Sequence, residues 1–406
     1  MRRSRLLAAM ILSVVGAALA IGGYAWLALG TFQVPLPDAL QGEAPGSLVS
    51  VERTGRYPRI AVQQVINAAA LPDPWEIDNG ITKYLLRYRT TNYDGESVIA
   101  SGLLALPTQG IPDAVISYQH GTSTSRAHAP SQPGLGEGLF LAAAVAGRGN
   151  VLVAPDYIGL GESRDLHPYL HTATAVSTCR DLLKAARAFV EQERGAWPGK
   201  LFLVGFSQGG HATLALHQAL ERNPETGFEV TASAPCAGAF FMNEISFPQA
   251  LTGATFSHSV YLGYAANSYA RIYGEPLDTL LRAPYAETVP QLFDGGHTGE
   301  DLAAGLPAAP RDLFTSEFLA AYESGAPHWF TRAFTDNSLP PARLRAPVRF
   351  YYGDADVDVL PEEALRMAAA MQGLGSDAKA VSVGAYEHDP SALRAIPAAL
   401  KWFEEF

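Results

Sequence analysis

The sequence predicts an α/β protein, with a mostly parallel central sheet, helices on both of its faces and a mainly helical insertion. Three observations carry that prediction. Short apolar strands alternate with longer helical stretches over about 114–239, the pattern of β–α–β crossovers. A β-hairpin signal precedes them. The alternation lapses over 240–341, where aromatic residues crowd broken helical patterns, and returns from 347 to the end.

Composition narrows the class. The 406 residues carry 29 Lys and Arg against 40 Asp and Glu, a net charge of −11, so the basic stripe a nucleic-acid partner needs is missing. With 48% apolar and only 17% charged residues the chain is core-rich, which excludes the disordered class. Two cysteines exclude a disulfide scaffold and a thiolate-bound metal centre. Cys179 and Cys236 either pair with each other or sit as two small buried hydrophobes.

Taken in order, Arg2, Arg3 and Arg5 precede an uncharged run over 6–30. As a helix it would extend about 37 Å, longer than a hydrocarbon core of about 30 Å. Segment 1–30 is therefore expected to be a signal-anchor or transmembrane helix, with the body outside the cytoplasm. A cleaved signal peptide with Ala18-Leu19-Ala20 as its small-x-small site is the competing reading, and it places the body in the same compartment. Residues 31–80 read as a linker and lead-in, 81–239 as the first part of the sheet domain, 240–341 as a cap or lid insertion, and 342–406 as the second part.

Within the first part, β-rich runs at 84–90 and 97–106 flank Asp94-Gly95, a hairpin turn. A strand at 114–118 leads into His120-Gly121-Thr122. Another at 151–154 leads into Pro155-Asp156-Tyr157 and a turn with Gly159 and Gly161. A helix over 172–193 follows, with Val176, Leu182, Leu183, Ala186 and Val190 at helical spacing. A strand at 201–204, a helix at 209–220 and a strand at 228–234 complete this part. The second part is a strand at 347–352, a helix at 362–371, a strand at 380–383 and a helix at 391–406.

The chemistry centres on Gly205-Phe206-Ser207-Gln208-Gly209, a G-x-S-x-G placed between a strand and a helix. Such a turn raises a serine above the sheet edge, and small residues two before and two after avoid clashes. A serine hydroxyl is a weak nucleophile at neutral pH, so it needs an imidazole base oriented by a carboxylate. In this context the acid follows a later strand and the histidine follows the last one. His388 lies between the last strand and the terminal helix. Asp356, Asp354 and Asp358 all follow the strand at 347–352, and Asp356 is placed to reach back over the sheet end. His211, one turn along the helix after Ser207, points to packing. The oxyanion needs two N–H donors: Gln208, the residue after the nucleophile, and a donor from the His120-Gly121-Thr122 loop, at Gly121 or Thr122. The His120 imidazole reads as buried and structural, with Asp156 and Tyr157 bracing the site floor.

Gln119-His120-Gly121-Thr122, Ala154-Pro155-Asp156-Tyr157-x-Gly159-x-Gly161, Gly205-Phe206-Ser207-Gln208-Gly209-Gly210-His211-Ala212 and Gly353-x-Ala355-Asp356 together resemble α/β-hydrolases. More narrowly they resemble the secretory lipase family typified by fungal lipase A, over roughly 80–406 and in that family's order. The run from Asp356 to Pro361 is one residue longer than the family pattern. The resemblance implies Ser207, Asp356 and His388 as nucleophile, acid and base, a lid in the 240–341 stretch, and a serine esterase or lipase; the aromatic insertion would supply an apolar acyl site, which favours hydrophobic esters. Acyl transfer through these three residues needs no metal and no organic cofactor. An acyltransferase or peptidase with the same three residues, or an inactive membrane-tethered binding protein on this scaffold, are the alternative readings.

Overall fold

In a computed structural model, described over residues 31–69, 71, 75–134, 136–253 and 255–406, the core is one ten-stranded sheet. Its strands are β1 (Phe32–Val34), β2 (Leu48–Tyr57), β3 (Ile81–Thr91), β4 (Ser97–Pro107), β5 (Ala114–Gln119), β6 (Val151–Pro155), β7 (Lys200–Phe206), β8 (Val230–Cys236), β9 (Val348–Tyr352) and β10 (Ala378–Ser382). Their order across the sheet is β1-β2-β3-β4-β6-β5-β7-β8-β9-β10. Pairing is antiparallel from β1 to β4 and between β4 and β6, and parallel from β6 through β5 to β10. Every residue of β5 and β6 is buried, as expected of strands covered on both faces, and this is why they read as continuous apolar runs.

The Asp94-Gly95 turn joins β3 to β4, with Gly95 at φ 84°, a conformation that favours glycine. Stretch 31–80, expected as linker and lead-in, instead supplies β1, β2 and the helix α1 (Arg59–Ala68). β2 pairs along β3 from Leu48 to Tyr57, and two register shifts in that pairing break the strict alternation a sequence reading looks for. The strand expected at 228–234 begins and ends two residues later. The terminal helix begins at His388 rather than 391, because its first turn is Asp-Pro, and proline fits the first turn of a helix.

Helices α2 (Glu137–Val145), α3 (Thr172–Arg194), α4 (Gln208–Arg222), α11 (Pro361–Gly373) and α12 (His388–Phe403) cover the sheet. On one face α1, α2 and α12 bury Val62, Ile66, Leu141, Ile396 and Phe403 against the strands. On the other, α3 and α4 contribute Leu182, Phe189, Leu216 and Leu220, and α11 adds Met367 and Met371.

Between β8 and β9 the chain forms α5 (Phe247–Thr252), α6 (Phe256–Tyr273), α7 (Tyr285–Leu292), α8 (Gly299–Gly305), α9 (Ser316–Glu323) and α10 (Trp329–Asn337). Most aromatics of this stretch fill its own core. Phe247 stacks on Phe334 at 4.9 Å and meets Phe330 edge-on at 5.7 Å, with Phe314 and Phe318 in the same cluster. Both ends of the segment are pinned to the sheet domain. Buried Glu363 accepts from the Phe240 and Phe241 N–H groups at 2.9 and 2.8 Å and from the Ser246 hydroxyl. At the other end the Thr172 N–H donates to Asn337 Oδ1 at 2.9 Å.

Cys179 and Cys236 are both free and buried, so the pairing alternative falls and the small-hydrophobe one stands. Among the described residues no helix is long and apolar enough to cross a membrane, and the expected span at 1–30 lies outside them.

Candidate active site

Non-glycine residues with positive φ stand just past the C-terminal ends of three of the four adjacent strands β6-β5-β7-β8: Tyr157 (66°) after β6, Ser207 (60°) after β7 and Ala237 (43°) after β8. Backbone strain of this kind persists where the surroundings over-determine it, and strand C-termini are where open α/β sheets bind ligands. Ser207 also has ψ −119°, and its N–H donates to Cys236 O at 2.9 Å. The neighbouring glycines are forced by space. A Cβ on Gly205 would lie 2.4 Å from Gly209 O, and one on Gly209 would lie 1.9 Å from Gln119 O. The turn is therefore built as the motif requires, and it ends with the positive N-terminus of α4 at the serine.

His388 opens α12 across the sheet end. Its Nε2 is 2.9 Å from Ser207 Oγ and its Nδ1 is 2.7 Å from Asp356 Oδ2. Asp356 and His388 are buried, while Ser207 is half-buried. The other Asp356 oxygen, Oδ1, accepts from the Asp358 and Val359 N–H groups at 3.0 and 2.9 Å. This fixes the carboxylate and, with it, the tautomer: Nδ1–H donates to Asp356, leaving the Nε2 lone pair toward the hydroxyl. Burial pushes the His388 pKa down, but the Asp356 hydrogen bond and charge, with Asp358 and Asp389, outweigh it and hold the imidazole above its ordinary value.

The loops that carry Asp356 and His388 are stitched together. The Ala355 N–H donates to Tyr386 O and the Asp354 N–H to Gly384 O, at 3.2 and 2.8 Å. A Cβ on Gly353 would meet Tyr386 O at 2.3 Å, which accounts for the glycine three residues before Asp356. The two other carboxylates of this turn do different work. Asp354 is exposed and accepts from the Ser382 hydroxyl at 2.8 Å. Asp358 accepts from the Thr255 hydroxyl at 3.0 Å, at the start of α6.

The loop after β5 runs beside the serine, so that a Cβ on Gly121 would lie 3.8 Å from Ser207 Cβ. Among the described residues neither the Gln208 nor the Thr122 N–H donates to a protein acceptor, which leaves both available beside Ser207. His120 lies buried under this loop, Nδ1 2.7 Å from Gly121 O and Nε2 3.2 Å from Asp156 O, with its ring 4.3 Å from Tyr157. Asp156 accepts from Ser101 and Ser131 and ties the floor together. His211 points away from the site: its Nε2–H donates to Asn337 O at 2.9 Å, and burial pushes its pKa down to about 4, so it stays neutral.

Sequence reasoning missed His167, Tyr169 and Tyr264. Burial pushes the His167 pKa down to about 4. Its Nδ1–H donates to Ile158 O at 2.8 Å, so its Nε2 accepts from the Gln208 side-chain amide at 2.9 Å and steadies the residue after the serine. Tyr169 and Tyr264 reach the loop after β5 from outside the motifs, at Thr122 Oγ1 and Ser123 O. The one sequence hint was that His167 and Tyr169 follow the Gly159-x-Gly161 turn, whose glycines both have positive φ.

No protein-family profile matches the chain, and no curated protein sequence matches it. Solved structures do. A Legionella pneumophila protein assigned as a hydrolase is 25% identical over 88% of this chain and 97% of that one, with a TM-score of 0.83. The ligand-bound rice cell wall degrading esterase LipA from Xanthomonas oryzae is 25% identical over 89% and 96%, with a TM-score of 0.75. Candida antarctica lipase A in its closed state, at 14% identity over 91% and 84% and a TM-score of 0.63, shares the fold. The chain has the α/β-hydrolase fold and resembles the esterases and lipases built on it.

Proposed function

We propose that this α/β-hydrolase-fold chain is a serine carboxylic-ester hydrolase working through an acyl-enzyme. The observation that carries the reading is the continuous chain from Ser207 Oγ to His388 Nε2 (2.9 Å) and from His388 Nδ1 to Asp356 Oδ2 (2.7 Å), with the serine presented at a backbone φ of 60°. Ser207 attacks the ester carbonyl as His388 takes its proton, and Asp356 stabilises and orients the imidazolium. The tetrahedral oxyanion is received by the N–H groups of Gln208 and Thr122, aided by the α4 N-terminus. His388 then gives its proton to the leaving alcohol, and a water activated by the same imidazole releases the acid and restores Ser207. The likeness to LipA and to lipase A supports an ester rather than an amide as the bond cleaved.

Hydrophobic esters are the substrate class we propose: the insertion α5–α10, apolar and aromatic in composition although most of its rings pack on one another, meets the turn that carries Asp356 through Thr255 and Asp358. The test is a p-nitrophenyl ester series from acetate to palmitate with Ser207→Ala alongside. Turnover of the esters and its loss in the alanine variant support the reading. Full activity in the alanine variant refutes it, and transfer to added alcohol in place of hydrolysis would favour an acyltransferase. We also place the body outside the cytoplasm, on the basic residues and uncharged run of 1–30, a reading that a periplasmic or secreted reporter fusion tests.

A further inference from the structure

We propose that Tyr169 and Tyr264 are positioning residues that hold the oxyanion loop, so that the aromatic insertion sets the geometry of the Thr122 N–H; this deepens the ester-hydrolase reading and rests on it. The loop after β5 has no regular structure of its own, yet an oxyanion donor must be held to within about half an ångström of its working position. Tyrosine hydroxyls grip it at three residues. From the floor, the Tyr157 hydroxyl donates to His120 O at 3.2 Å. The Tyr169 hydroxyl shares a 2.9 Å hydrogen bond with Thr122 Oγ1, and the Tyr264 hydroxyl donates to Ser123 O at 3.2 Å.

The two gripping hydroxyls are held in direction by their rings. Tyr169 stacks on Tyr264 at 4.5 Å and 7°, and Tyr264 stacks in turn on Phe293 at 4.5 Å and 14°. Tyr264 belongs to α6 and Phe293 follows α7, so two of these three plates come from the insertion. All three are buried, Tyr264 to 1% exposure, where neither ring can turn without breaking a stack or orphaning a polar group. Tyr269 adds a hydrogen bond at 3.1 Å to the carbonyl of Leu170, whose φ is 54°, fixing the turn that presents Tyr169. Further along, the Arg126 N–H donates to Gly295 O at 2.8 Å and the Thr124 hydroxyl to His297 O at 3.0 Å, so the insertion also pairs with the strand of chain just beyond.

The mechanism makes a specific demand: a loosened donor weakens transition-state binding and leaves ester binding alone. Tyr169→Phe and Tyr264→Phe should each lower kcat roughly tenfold, less than the roughly 10²–10³ lost with a whole oxyanion donor. KM should stay within about twofold. The Ki of an alkylboronic acid, which adds to a serine as an anionic tetrahedral boronate, should rise in the same proportion as kcat falls. Thr122→Val should match Tyr169→Phe, and the double variant should lose no more than either single one, because both remove one hydrogen bond. Tyr88→Phe, which removes a buried hydroxyl bonded to Thr178 O at 3.0 Å, is the matched control and should leave kcat and Ki unchanged. If Tyr264→Phe does not fold, the Tyr169–Thr122 cycle decides alone. Variants that keep kcat and boronate Ki within twofold, while Ser207→Ala is inactive, overturn the clamp. An active Ser207→Ala overturns the reading beneath it instead.

Discussion

Replacing Asp356 by Asn changes one atom and reverses the direction of a hydrogen bond. The two N–H groups of Asp358 and Val359 point at Oδ1, so an asparagine must place its carbonyl oxygen there and its NH2 where Oδ2 now meets His388 Nδ1 at 2.7 Å. That amide can only donate, so Nδ1 must accept and the proton moves to Nε2. His388 then presents N–H to Ser207 and cannot take the serine proton. The carboxylate charge that stabilises the imidazolium is lost as well. A carboxylate-to-amide change in this arrangement costs about 10⁴ in kcat, which corresponds to about 5.4 kcal/mol of transition-state stabilisation. The assay is steady-state turnover of a short p-nitrophenyl ester, with KM expected to change little. Asp354→Asn and Asp358→Asn, whose oxygens meet Ser382 and Thr255 instead, should each stay within about tenfold of the parent. An Asp356→Asn variant retaining more than about a tenth of the activity would refute the tautomer argument, and a larger loss at Asp358 would move the acid to that residue.

Other consequences follow from the same geometry. Because His388 must be neutral to accept the serine proton and its pKa lies above the ordinary 6.5, kcat/KM should rise with pH to a midpoint above that value; full activity at pH 5.5 would contradict it. Gly209→Ala should abolish folding or lower Tm sharply, since its Cβ would sit 1.9 Å from a backbone oxygen, whereas Gly199→Ala, with open space around it, should leave Tm unchanged. Glu363→Ala strands the Phe240 and Phe241 N–H groups at the start of the insertion and should cost about 2–4 kcal/mol in urea unfolding; a loss under about 0.5 kcal/mol would show that water replaces the carboxylate freely.

The parts that were legible in the sequence are those where local chemistry and global fold agree. The serine turn announces itself because Gly205 and Gly209 leave no room for a Cβ, and the hairpin because Gly95 needs positive φ. The buried strands β5 to β8 are apolar runs, so their alternation with helices showed the sheet. β2 stayed hidden: it carries half-buried Glu52 and Arg53 and exposed Arg56, and its register slips twice against β3. Position in the sequence narrowed the candidate acid to three aspartates and favoured Asp356, while the physical ground for that choice, the N–H groups of 358 and 359 aimed at its Oδ1, exists only in the folded turn. The hold of Tyr169 and Tyr264 on the oxyanion loop was beyond reach, since it joins residues about 50 and 140 positions away to Thr122 and Ser123 through side-chain hydroxyls alone.

The central claim is that Ser207 Oγ is the atom acylated during turnover. Intact-mass and peptide mass spectrometry after reaction with a fluorophosphonate tests it most directly. One adduct per chain on the peptide containing Ser207, in step with loss of ester hydrolysis and missing from Ser207→Ala, is the result this account predicts. An adduct on another residue, or loss of activity with Ser207 unmodified, would contradict it.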